Sequence, residues 1–139
     1  MATEQPTDVE IRIPCRAEYV GVARLAILGV ASRMRFSYDE VEDIRLAVGE
    51  ACASAIERSK KRLDPQDRIA IRCSVEEAKL IVEVSDNDGG ATREPRNAEE
   101  VSEEQSLGAL LMGLLVDEVE TEATPDGGTK IRMIKYVER

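Results

Sequence analysis

Ser37-Tyr38-Asp39-Glu40-Val41-Glu42-Asp43-Ile44-Arg45-Leu46-Ala47-Val48-Gly49-Glu50-Ala51-Cys52-Ala53-Ser54-Ala55 is the stretch on which the reading of this chain turns. Its start is a capping box: the Ser37 hydroxyl can accept an orphan backbone N–H while Glu40 reaches back to the N–H of Ser37. Val41, Ile44, Val48, Ala51 and Ala55 then recur at helical spacing, one stripe for burial. Glu50 and Ser54, one turn apart, fall off that stripe beside small Ala47. Lys60-Lys61-Arg62 puts positive charge where the helix ends, which suits the macrodipole.

Working outward, Val9 to Ile13 alternates apolar and charged residues, as a half-buried strand does, and Pro14 ends it. From Ala17 to Met34, Val20, Ala23, Ile27, Val30 and Met34 keep helical spacing. Beyond the central helix, Ile69, Ile71, Cys73 and Val75 alternate, as do Leu80, Val82 and Val84. The short Glu76-Glu77-Ala78 link makes them an antiparallel hairpin. Residues 87 to 105 are polar and acidic, and read as a mobile loop because they offer little apolar surface against ordering entropy. Leu107 to Val116 is a short apolar helix. Val119, Thr121 and Ala123 mark a strand, Pro125-Asp126-Gly127-Gly128 a turn, and Ile131 and Met133 a last strand. The order β-α-α-β-β-loop-α-β-β, with hairpins segregated from helices, predicts an α+β two-layer sandwich in one domain spanning 1–139.

Composition narrows the function. The net charge of -9 repels phosphate backbones and anionic lipid, which argues against nucleic acid or membrane as direct partners. Aromatics are only 3% of the chain, so aliphatic packing has to supply the core. Cys15, Cys52 and Cys73 are odd in number and without a CxxC pair, and the chain has no histidine. They read as small core residues in a reducing compartment rather than zinc ligands. With no signal peptide and no long apolar run, the expected location is the cytoplasm.

Several residues carry a chemical reading beside a bland one. Glu50 can accept a proton from an attacking hydroxyl and Ser54 can offer an oxygen to Mg²⁺; alternatively both decorate a surface helix. Asp86 closes a buried-looking strand, Val84-Ser85-Asp86-Asn87-Asp88-Gly89-Gly90, where a carboxylate can accept from an exocyclic amine such as that of adenine. The alternative there is an Asp-Gly turn. Gly108 near a helix start can admit a phosphate against backbone N–H groups, or simply pack tightly. Gly128-Thr129 can set a hydroxyl near a base-binding Asp, or end a hairpin turn. No Walker-A loop, kinase glycine loop or Gly-x-Ser-x-Gly elbow is present.

With those residues in place, the chain resembles the anti-sigma factor serine kinases of the RsbW type, within the GHKL ATPase superfamily. The resemblance is carried by Ile13 to Leu25, Val30 to Met34, Ser37 to Cys52, Val116-Asp117-Glu118-Val119, Gly128-Thr129 and Lys135-Tyr136-Val137. It implies a Bergerat-type sandwich, a mixed and mostly antiparallel sheet with helices on one face. It also implies partner switching: the protein holds a sigma factor, or binds an anti-sigma-factor antagonist and phosphorylates it on serine with ATP and Mg²⁺. By position, Glu50 matches the catalytic base, Ser54 the Mg²⁺-binding Asn, Asp86 the adenine-binding Asp, Thr129 the threonine near the base, and Arg24 a partner-contacting arginine. Gly90 keeps one glycine of the Asp-x-Gly-x-Gly box, whose first glycine is Asp88, and Gly108 keeps one of a Gly-x-Gly box that here begins at Ser106. Residues 87–105 take the place of the ATP lid and 1–8 of a flexible N-terminus. Because the departures fall on the phosphate side, the resemblance leaves two forms open: an active kinase, or a kinase-poor or kinase-dead partner-binding regulator. A homodimer through the first helix and Val9 to Ile13 is a further implication.

Overall fold

The computed structural model describes residues 7–62, 66–86, 103–125 and 127–137. Strand β1 (Thr7–Pro14) leads through a single 3-10 turn (Ala17–Tyr19) into helices α1 (Val20–Ala31) and α2 (Tyr38–Arg62). The hairpin β2 (Arg68–Val75) and β3 (Lys79–Asp86) follows, then α3 (Glu103–Leu115) and the hairpin β4 (Glu118–Ala123) and β5 (Thr129–Tyr136). The predicted order of elements is therefore the observed one.

The strands form one sheet in the order β1-β2-β3-β5-β4. Every pairing among the described residues is antiparallel, which corrects the expected mixed sheet. The reason is topological: β4 runs the same way as β3, but β5 inserts between them and opposes both.

Side chains alternate across the sheet. On the inward face, Ile13, Ile69, Ile71, Cys73, Leu80, Val82, Val84, Ile131 and Met133 are buried against the helices. On the outward face, Glu10, Arg72, Glu83, Arg132 and Glu120 lie side by side across the five strands, alternating in sign. Arg72 pairs with Asp8 at 2.6 Å, and Lys130 bridges Glu83 and Glu122 at 3.4 and 3.1 Å. Cross-strand pairs of opposite charge stabilise a solvated face by about 0.2–1 kcal/mol each. All three helices lie on the other side.

Helix α2 is the spine of that layer, packed on α1, α3, β3 and β5. Its capping box forms as predicted: the Ser37 N–H donates to Glu40 Oε1 at 2.9 Å, and the Glu40 N–H donates to Ser37 Oγ at 3.1 Å. Val41, Ile44, Val48, Ala51 and Ala55 are buried, joined by Ala47 and Cys52. The β4–β5 turn closes with Gly127 at φ 87°, a left-handed conformation that glycine adopts without strain.

Three boundaries differ from expectation. The 3-10 turn takes Ala17–Tyr19, so α1 is shorter than Ala17 to Met34 at both ends. Thr7 and Asp8 are paired in β1 with Val75 and Ser74, not part of a flexible terminus; residues 1–6 lie outside the described residues. Helix α3 begins at Glu103, inside the expected lid-like loop, whose residues 87–102 lie outside the described residues. Its apolar composition does not bury it, since Leu107, Leu110 and Leu114 are exposed.

The cysteines behave as core atoms. Burial pushes the Cys52 thiol up to about 12 and the Cys73 thiol up to about 11, while Cys15 is half-buried with Sγ–H donating to the Ala55 carbonyl at 3.7 Å. Thiolate is the reactive form. At pH 8, a chromogenic disulfide reagent is expected to titrate Cys15 in the folded protein and all three thiols only in denaturant. Equal labelling rates at the three positions would show an open core.

Candidate functional site

Glu50, Ser54 and Arg58 follow one another at four-residue intervals on α2, so each step advances about 6 Å along one polar stripe. This stripe runs from α3 at one end to the tips of β3 and β5 at the other.

At the α3 end, Glu50 is half-buried against Gly108. A Cβ at position 108 would fall 2.8 Å from Glu50 Oε1, so the glycine is what lets the carboxylate lie against α3. Among the described residues, Glu50 has no hydrogen bond or ion pair. Because α3 starts at Glu103, Gly108 sits in the helix interior rather than at its first turn. The expectation of orphan N–H groups at Gly108 is corrected accordingly, because an interior N–H is spent on the helix's own ladder.

At the strand end, Asp86 points to the helix side of β3 with its side chain fully buried. A carboxylate there needs donors, and both of its oxygens have them. Arg58 Nε donates to Oδ2 at 2.9 Å, and the backbone N–H of Thr129 donates to Oδ1 at 2.7 Å. Thr129 thus reaches Asp86 through its main chain. Arg58 is nearly as buried, at 7% exposure, and its Nη1 donates to Ser54 Oγ at 2.7 Å. One guanidinium therefore ties Ser54 to Asp86. Taking two ions out of water costs several kcal/mol each, offset only by close geometry and further hydrogen bonds, which this cluster supplies.

Arg24, on the exposed side of α1, lays its guanidinium over Gly49 of α2. A Cβ at position 49 would stand 2.6 and 2.7 Å from Nη2 and Nε. Arg24 is thereby held one residue away from Glu50 along the chain. Gly90 and Asp88 lie outside the described residues.

Among the described residues, the side chains expected to meet a nucleotide and its Mg²⁺ are bonded to one another. Both Asp86 oxygens accept hydrogen bonds, and Ser54 Oγ turns a lone pair to the Arg58 guanidinium, the kind of lone pair a metal ion would need. Among the described residues no group of three or more acids or cysteines converges as a metal site. Between α2 and the sheet, Ile44, Val48, Leu80, Val82, Val116, Met133 and Lys135 pack with no room for a water molecule among them, and none is a candidate residue. No helix among the described residues is long and apolar enough to cross a membrane.

The structure brings Ser54, Asp86 and Thr129 together and sets Glu50 with Gly108, but it reaches the first group through a residue the sequence reading does not single out. Arg58 stands four residues beyond Ser54, on the stripe already marked by Glu50. That spacing was the available signal. Its proximity to Lys60-Lys61-Arg62 masks it, because a cation near a helix end is ordinarily solvated.

Comparison with known proteins agrees with this fold. The family described as histidine kinase-like ATPase domain matches residues 13–135. The serine-protein kinase RsbW of Bacillus pumilus (strain SAFR-032) is 37% identical, covering 94% of this chain and 86% of the relative. That of Bacillus subtilis (strain 168) is 36% identical over 93% and 85%.

The buried pair makes a stability prediction. Asp86→Ala leaves a guanidinium in the interior without its carboxylate, which costs roughly 3–5 kcal/mol. Urea unfolding is expected to show this as a midpoint shift with the slope unchanged. A loss below about 1 kcal/mol, the range of exposed pairs, would mean the pair is solvated.

Proposed function

The chain belongs to the histidine kinase-like ATPase domain family, among its RsbW-type serine-protein kinases, and on that footing we propose that it is an anti-sigma factor of a cytoplasmic partner-switching module. In this reading it binds a sigma factor, and it binds and phosphorylates a serine of an antagonist protein with ATP. The observation that carries the kinase reading is Glu50. It is half-buried, held against Gly108, and without a hydrogen bond or ion pair among the described residues. A general base has to keep its carboxylate available to the proton it removes. Glu50 would take the proton of the antagonist's serine hydroxyl, and Asp86 would accept from the base of the nucleotide.

Arg24 supplies the partner contact in the same reading. Its guanidinium is held on the α1–α2 surface by the missing side chain of Gly49, next along α2 to Glu50. A partner seated on Arg24 therefore lies beside the proposed base. The overall charge of -9 suits a basic partner surface and disfavours direct contact with nucleic acid.

The alternative is a partner-binding regulator of the same fold with little kinase turnover, and the Arg58–Asp86 pair is the contact that bears on it, because it engages the proposed base-reading carboxylate.

Two experiments test the proposal. Glu50→Gln is expected to slow phosphate transfer from ATP to a purified antagonist by 10²–10⁴-fold, on the order of a general base's contribution, with sigma capture intact. Transfer at the wild-type rate would remove Glu50 from the chemistry; no transfer by the wild type would select the second reading. Gly49→Ala is expected to weaken capture of both protein partners by displacing Arg24, as Arg24→Ala does. Because Ala favours a helix over Gly by up to about 1 kcal/mol, melting should be unchanged or slightly raised. Unaltered capture by both variants would separate Arg24 from partner binding.

A further inference from the structure

We propose that Arg58 is an internal competitor for the base-binding position: its guanidinium bonds Asp86 and Ser54 and opposes the reading of a nucleotide base there. The inference presupposes that Asp86 is the base-reading carboxylate of the proposed function.

The geometry is specific. Arg58 Nε approaches Asp86 Oδ2 at 2.9 Å, as an N–H donor of an exocyclic amine would. The second oxygen accepts from the Thr129 N–H at 2.7 Å, so an incoming base shares Asp86 with donors already in place and competes with them for its lone pairs. Thr129 is main chain within β5 and does not move independently of the sheet. Arg58 is a flexible side chain, and is the donor that can yield. Its Nη1 meanwhile donates to Ser54 Oγ at 2.7 Å, so displacing the guanidinium breaks both contacts.

The competition is unequal. A base offers a neutral N–H, whereas Arg58 offers a permanently charged one, and charge-assisted bonds are roughly twice as strong. The displaced guanidinium also has to find new partners or water. Apparent nucleotide affinity then equals the intrinsic affinity multiplied by the fraction of molecules in which Arg58 has vacated Asp86. If that fraction is one in ten, the apparent Kd rises about tenfold, equivalent to about 1.4 kcal/mol. Arg58 is in this sense an affinity-determining residue that touches the base-binding carboxylate, not a catalytic one.

The test is calorimetric titration of the full-length wild type and Arg58→Gln with ATP and Mg²⁺, and separately with inorganic tripolyphosphate and Mg²⁺. Glutamine is shorter and neutral, and can still donate to Asp86. The variant is expected to bind ATP at least tenfold more tightly, with tripolyphosphate affinity unchanged because that probe has no base. Equal or weaker ATP binding by the variant overturns the assignment of Arg58 and leaves the nucleotide reading standing. Absence of ATP binding to both proteins removes both. Should Arg58→Gln not fold, Arg58→His takes its place, and the wild type supplies an independent readout. The Nε–H resonance of Arg58, assigned by nitrogen-15 NMR, is expected to shift and exchange faster with solvent at saturating ATP. An unmoved resonance at saturation overturns the proposal.

Discussion

The burial of one face of α2 against the inward face of the sheet is the constraint from which the remaining structure follows. Val41, Ile44, Ala47, Val48, Ala51, Cys52 and Ala55 are all removed from water there, and α1 and α3 flank the same helix. At roughly 25 cal/mol per Å² of apolar surface, such a stripe outweighs any polar contact the helix makes. It also fixes the rotation of α2 about its axis. Once that rotation is set, Glu50, Ser54 and Arg58 have one place to go: the edge of the buried stripe, facing α3 at one end and the tips of β3 and β5 at the other.

Small residues make this packing close enough to bring functional groups into contact across helices. Gly108 lets α3 approach Glu50, and Gly49 lets the Arg24 guanidinium lie on α2. In both cases the atom a methyl group would meet is the end of a flexible side chain. The glycines thus matter less for the stability of the helices than for where a carboxylate and a guanidinium come to rest. Gly49 and Glu50 are adjacent on α2, so the Arg24 guanidinium of α1 rests one position along that helix from the proposed base.

The sheet separates two electrostatic regimes. Its outward face carries alternating charges in contact with water, where each pair contributes little and salt screens it. Asp86 sits on the other face, out of water, where a lone carboxylate would be costly and Arg58 answers it. The chemistry assigned to Asp86 and the stability of the β3 terminus therefore draw on the same atoms. On the proposed reading of Asp86, the arginine that stabilises its carboxylate also opposes a base there.

Local patterns were enough for most of the architecture. The Ser37–Glu40 box, the 3.6-residue stripe of α2 and the alternation of β2 and β3 are each decided by residues near one another in the chain, and each was found in the predicted place. The antiparallel sheet without a parallel pair, the start of α3 at Glu103 and the exposure of its leucines were not legible, because each depends on which element lies alongside. So does the Arg58 bridge. Ser54 and Arg58 are four residues apart and their proximity is written in the sequence, but Asp86 and Thr129 join them only through contacts spanning 28 and 43 residues. A side chain as long as arginine can end in solvent or in the interior. Which of the two it does is settled by whether a buried carboxylate lies within its reach, and only the folded chain brings one there.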